Sequence, residues 1–177
     1  MNTARRTMGG LLAVALLFSL GMTAGCAAEK HPILSSAAVE SIKAAFPNAT
    51  IGEVEAEKED GLDLLEVELT LDGKEIEVTV SPDGVIVEVE TEVAMKDLPK
   101  AVADAIAKAA AGAKVEEIER EETRAVVRDG KLVKLDQPKI TYEAEFLKDG
   151  KEVEVEVAAD GTILSTETED EGEDDDD

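Results

Sequence analysis

The sequence predicts an α+β fold built as two tandem repeats, each one helix packed on an antiparallel β-meander. Three observations carry this reading. Apolar residues recur at helical spacing in Ala38, Val39, Ile42, Ala45 and Phe46, and again in Leu98, Val102, Ala105, Ile106 and Ala109. After each helix the period drops to two: Leu65, Val67, Leu69 and Leu71 alternate with Glu66, Glu68 and Thr70. The chain also matches itself. An offset of 64 aligns Ile42 with Ile106, Ala49 with Ala113, Glu53 with Glu117, Glu55 with Glu119 and Glu57 with Glu121. An offset of 77 aligns Asp72-Gly73-Lys74-Glu75 with Asp149-Gly150-Lys151-Glu152, Asp83-Gly84 with Asp160-Gly161, and Glu90-Thr91-Glu92 with Glu167-Thr168-Glu169.

Residues 1–25 read as an export signal. Arg5 and Arg6 precede the apolar run Leu11 to Phe18, and the small residues Thr23-Ala24-Gly25 follow. As a helix, Leu11 to Met22 would cover about 18 Å, too short for a hydrocarbon core of roughly 30 Å. Thr23-Ala24-Gly25-Cys26 resembles the lipobox of bacterial lipoproteins, which implies cleavage between Gly25 and Cys26 and lipid, palmitate included, on the Cys26 sulfur. Cys26 is the one cysteine of the chain, so no intramolecular disulfide can form. Lipidation would also remove a thiol that is a liability in an oxidising compartment. Several acyl chains, at about 0.8 kcal/mol per buried methylene, would hold the protein firmly on a bilayer. The expected location is the bacterial cell envelope, facing the periplasm or exterior.

Residues 26–34 form a tether, 35–92 the first repeat, 93–168 the second and 169–177 an acidic tail. In the first repeat Ser35 or Ser36 caps the helix and Pro47-Asn48 stops it. The strands around Asp72-Gly73 follow, with Ile76, Val78 and Val80 alternating against Glu75, Glu77 and Thr79. Asp-Gly supplies the positive φ angles of a tight hairpin, and Asp83-Gly84 makes the next reversal. In the second repeat Asp97 is the expected cap and Gly112 the stop. Tyr142, Ala144 and Phe146, then Val153, Val155 and Val157, repeat the strand pattern. The offset grows by 13 between the two alignments, which places an insertion near 124–138, read as an extra or lengthened hairpin around Asp129-Gly130.

Leu98-Pro99 ahead of Ala101-Val102, then Gly112-Ala113-Lys114-Val115-Glu116-Glu117-Ile118, Tyr142-Glu143-Ala144, Asp149-Gly150-Lys151 and Asp160-Gly161-Thr162-Ile163-Leu164, resemble the PepSY-like family. That family is related to the fold of β-lactamase inhibitory proteins and to segments in propeptides of thermolysin-type metallopeptidases. The resemblance covers most of residues 37–168. It implies a noncatalytic extracytoplasmic binding module, a peptidase inhibitor or modulator that acts by surface occlusion. An acidic cation-buffering or structural envelope protein, or an accessory subunit of a membrane partner, is the alternative.

Composition bounds the chemistry. The 177 residues hold 42 acidic against 18 basic side chains, for a formal charge of −24, and only 2% are aromatic. Such a surface repels phosphates, so nucleic acid is excluded as an ordinary partner. His31 is the only imidazole and lies in the tether, which leaves no Ser-His-Asp or Cys-His constellation. There is no H-E-x-x-H, no paired cysteine motif, no P-loop and no G-x-G-x-x-G turn. No catalytic residue, no metal site and no cofactor is expected. Carboxylates abound, yet no pair stands out and aromatic sugar platforms are missing.

The strands place Glu66, Glu68, Glu75 and Glu77, and Glu143, Glu145, Glu152, Glu154 and Glu156, on the faces away from the helices. The reading is a solvated face, with a cation or basic-protein site as the alternative. Like charges directly opposite one another cost stability, so a cationic partner would favour such a sheet. Phe46, Tyr142 and Phe146 read as bulky core residues, with Tyr142 as the alternative anchor for a partner. The expected partners are a membrane, through Cys26, and a secreted or membrane protein such as a peptidase. The acidic tail has nothing to bury and should be disordered.

Overall fold

The computed structural model describes residues 33–169. In chain order they form α1 (Ser36–Ala45), β1 (Thr50–Glu59), β2 (Leu62–Leu71), β3 (Lys74–Val80), β4 (Ile86–Glu92), a short 3-10 turn (Met95–Asp97), α2 (Lys100–Ala110), β5 (Val115–Arg128), β6 (Lys131–Lys148), β7 (Lys151–Ala158) and β8 (Ile163–Glu169). The expected export signal, Gly25, Cys26, His31 and the residues beyond Glu169 lie outside the described residues.

All eight strands join one antiparallel sheet in the order β1-β2-β3-β4-β5-β6-β7-β8. This corrects the expectation of two separate meanders: β4 pairs with β5 through Glu90–Glu121, Thr91–Arg120 and Glu92–Glu119, so the sheet is continuous. The helices cover one of its faces. Ala38 and Ile42 of α1 pack with Val67, Leu69, Val78, Val80 and Val89, while Val102, Ile106 and Ala110 of α2 pack with Ile118, Ala144, Phe146, Val155 and Val157. The cross-strand rows Val67–Val78–Val89 and Ile118–Ala144–Val155 show why alternation places these residues together. Tyr142 and Phe146 are buried in the second core, so Tyr142 is not the exposed anchor of the alternative reading.

Ser35 caps α1, its Oγ accepting from the Ala38 N–H at 3.0 Å and donating to the Pro82 carbonyl at 2.6 Å. The cap thereby ties the start of α1 to the β3–β4 turn. For α2 the expected cap is corrected. Asp97 closes the 3-10 turn, and Pro99 occupies the cap position with no side-chain bond. Proline fits there because the first helical N–H groups lack intrahelical partners and its own φ is already restricted. Past the other end, Ala111 and Gly112 both take positive φ.

One strand and one hairpin extend the pattern that the sequence offers. β1 carries only Ile51 and Val54 toward the core, with a register irregularity between them, so its apolar alternation is weak. The insertion near 124–138 is a lengthened hairpin: Val126–Val133 and Arg128–Lys131 continue the β5–β6 ladder to the Asp129-Gly130 turn. Ala125 and Val127 within it are buried, and so, elsewhere in the sheet, are Leu64 of β2 and Val87 of β4.

Candidate functional site: the acidic face of the sheet

Register, and not only composition, makes the second face of the sheet unusual. Glutamates stand directly opposite glutamates on successive strands. Glu68, Glu77, Glu90 and Glu121 run across β2 to β5. Glu92, Glu119, Glu143 and Glu156 run across β4 to β7. Glu117, Glu145, Glu154 and Glu167 run across β5 to β8. These rows are offset from one another, so the carboxylates form a diagonal band that crosses the β4–β5 junction.

The side chains crowd one another enough to lose water. Glu77, Glu88, Glu90, Glu119 and Glu143 are all half-buried. Desolvation is the leading cause that pushes Glu77, Glu88 and Glu119 up to about 7 and Glu90 up to about 9, with neighbouring carboxylates adding to it. Glu143 is raised furthest, by burial first, then by the charges of Glu154 and Glu121 and by hydrogen bonds with both. Carboxyl groups this close favour a shared proton over two full charges. Local donors relieve some of the rest. Thr123 Oγ1 donates to Glu88 at 2.8 Å, Thr141 Oγ1 to Glu121 at 2.7 Å, and Lys139 Nζ to Glu156 at 3.1 Å.

Glu143, Glu145 and Glu154 each offer a carboxylate oxygen, and these atoms lie within 4.8 Å of one another. Oxygen ligands so placed suit a hard cation such as calcium. Glu117, Glu119, Glu143 and Glu145 line a shallow depression at the same place.

Of the glutamates singled out in the sequence, Glu66, Glu68, Glu77, Glu143, Glu145, Glu154 and Glu156 belong to this face by register. Glu75, opposite Thr70, and Glu152, opposite Leu147, lie nearer the hairpin ends. The sequence reading missed Glu88, Glu90, Glu119 and Glu121, which join the two groups. The signal was available: Glu88 and Glu90 alternate with Val87 and Val89, and Glu117, Glu119 and Glu121 alternate with Ile118. Cys26 and Gly25 lie outside the described residues. No helix among the described residues is long and apolar enough to cross a membrane.

Residues 63–128 match a protein-family model described as "Putative beta-lactamase-inhibitor-like, PepSY-like". The match runs from β2 to the end of β5 and so spans the junction of the sheet. Solved structures share the fold. A BLIP-like protein from Bacteroides fragilis is 21% identical, with a TM-score of 0.60 over 82% of this chain and 93% of that one. A protein from Bacteroides eggerthii, described as one of the "putative periplasmic proteins", is 13% identical, with a TM-score of 0.61 over 77% and 90%. A DUF2874 family protein from Bacteroides ovatus is 16% identical, with a TM-score of 0.58 over 77% and 89%. Comparison with curated protein sequences finds no match.

Proposed function

We propose that the chain is a noncatalytic, extracytoplasmic binding module, anchored to a membrane by lipid on Cys26, whose acidic sheet face docks on a cationic surface of a partner protein. A secreted peptidase fits this role, restrained by occlusion of its surface with no covalent step. The observation that carries the reading is the one-sided cover of the sheet. Both helices lie on the apolar face, while the opposite face presents glutamate rows from seven neighbouring strands, β2 to β8. Like charges in register cost stability, and a cationic partner would relieve that cost on binding, giving fast, salt-sensitive association. The likeness in fold to a BLIP-like protein supports the same direction.

The order helix-then-four-strands occurs twice, and matching turns recur: Gly84 N–H donates to Ser81 O and Gly161 N–H to Ala158 O, both at 2.8–2.9 Å. These correspondences support an origin in two tandem repeats fused edge to edge. A cation-buffering role is the rival reading, favoured by the spacing of Glu143, Glu145 and Glu154.

Crosslinked capture from native envelope and secreted fractions, with the full-length protein as bait, tests the proposal. Capture of a discrete protein should be lost in Glu77→Lys/Glu119→Lys and at high salt. Capture unchanged in both would overturn docking on this face. Calcium binding that disappears in Glu143→Gln/Glu154→Gln, with no protein captured, would transfer the face to the rival reading.

A further inference from the structure

The lengthened β5–β6 hairpin is cationic in a chain of charge −24. From residue 124 to 139 it carries Arg124, Arg128, Lys131, Lys134 and Lys139 against Asp129 and Asp136. Arg124 is paired with Glu122 at 2.9 Å and Lys139 with Glu156 at 3.1 Å. Arg128, Lys131 and Lys134 take part in none of the ion pairs of the described residues, and all three are exposed. Arg128 stands directly opposite Lys131 across the tip. Two like charges in that position repel one another, and an anion placed between them would remove the repulsion. Val133, 39% exposed, adds an aliphatic contact beside them.

Topology puts this arm where the chain joins the folded unit. Ser35 is bonded to the β3–β4 turn at Pro82. β4 leaves that turn, and β5 runs back toward it, as the Glu90–Glu121 register and the Thr123–Glu88 hydrogen bond establish. The ladder from Val126 to Arg128 then continues past the start of β4 at Ile86. The tip and the start of α1 therefore belong to the same end of the sheet. From Cys26 to Ser35 the chain reaches at most about 30 Å, even when fully extended.

We infer that the tip of the β5–β6 hairpin, through Arg128, Lys131 and Lys134, contacts anionic lipid headgroups of the membrane that holds the protein. This rests on the lipid anchor at Cys26, which keeps this end of the sheet near the bilayer. The β1–β2 tip is anionic at Glu57, Glu59, Asp60 and Asp63, with Lys58 paired to Asp63. β2 and β5 are separated by two strands, about 14 Å at the usual spacing, more than a Debye length of about 8 Å. The molecule accordingly tilts with β5–β6 toward the lipid and β1–β2 away, and the acidic face stays open to a partner.

The test uses the full-length lipidated protein in phosphatidylcholine vesicles with and without phosphatidylglycerol. Amide exchange across residues 128–134 should slow at least tenfold when the anionic lipid is present. The variant Arg128→Glu/Lys131→Glu/Lys134→Glu should stay on the vesicles and lose that protection. Equal exchange in both lipid mixtures, or protection retained in the variant, overturns the headgroup contact while leaving the anchor intact. Protection that depends on protein density in neutral vesicles instead assigns the arm to a second copy of the chain and also overturns it. Protein that washes off phosphatidylcholine vesicles refutes the anchor separately.

Discussion

Gly84 lies so close beneath Ala37 that a Cβ on it would stand 2.6 Å from the Ala37 carbonyl oxygen. Gly161 stands in the same relation to Ala101, at 2.7 Å. Each turn is thus pressed against the first part of a helix, at positive φ in both cases. Gly73 also has positive φ, yet nothing lies within 4 Å of its missing Cβ. Gly73→Ala should cost about 1 kcal/mol from the left-handed backbone alone. Gly84→Ala adds overpacking against backbone, for a total of about 3 kcal/mol. Urea unfolding of the two variants should separate them by that margin, and equal midpoints would show that the helix does not seat on the turn.

The carboxylate band makes the protein more stable in mild acid. Glu77, Glu88 and Glu119 at about 7 and Glu90 at about 9 hold protons that the unfolded chain, with ordinary glutamates near 4.5, has released. Their contribution is full below 4.5 and is lost as pH rises through 7 to 9. Glu122, lowered on balance by its bonds to Arg120 and Arg124 although burial opposes them, works in the other direction and only at lower pH. After discounting for solvent screening, a net gain of about 2 kcal/mol would raise Tm by about 4–8 °C between pH 8 and pH 5. Calorimetry at the two values checks the sign, and a higher Tm at pH 8 would refute it.

Glu90→Gln isolates one member of the band. Glu90 faces Glu77 and Glu121 directly across the ladder. The neutral amide keeps the shape and removes the charge, so the variant should gain about 1 kcal/mol at pH 8 and little at pH 5. The measurement is the pH dependence of its urea midpoint, which should be flatter than that of the parent.

Ser35→Ala should destabilise by about 1 kcal/mol, because Ser35 both caps α1 and holds the β3–β4 turn through Pro82. Ser35→Asp keeps the capping acceptor and loses the donor to Pro82. Partial recovery of Tm in Ser35→Asp would show that both bonds contribute.

Cys26→Ala should move the protein from the membrane fraction to the soluble one. Fractionation followed by immunoblotting checks this, and an unchanged distribution would refute the lipid anchor.

Much of the architecture was legible because burial follows periodicity. The stripe Val102–Ile106 and the alternation Val153–Val155–Val157 mark residues that do lie in the core. β1 was not legible, since Gly52, Ala56 and Lys58 dilute its alternation and only pairing with β2 makes it a strand. The α2 cap was misplaced because Asp97 carries the better capping side chain, while tertiary context starts the helix after Pro99. The joining of β4 to β5 left no local mark at all. A pairing between strands separated by α2 depends on where two layers come to rest. The acidic face was half visible for the same reason: each glutamate row could be read along its strand, but the rows that cross Glu90–Glu121 exist only once the register is known.

That junction also welds two separately packed halves into one plate. Between β4 and β5 the ladder consists of Glu90–Glu121, Thr91–Arg120 and Glu92–Glu119, with repelling carboxylates in two of those rungs. Each side carries its own helix and apolar cluster. The Thr123–Glu88 hydrogen bond and the Val93–Ile118 backbone bond clamp the seam at its two ends, so the flanks form one compact body despite the charge between them.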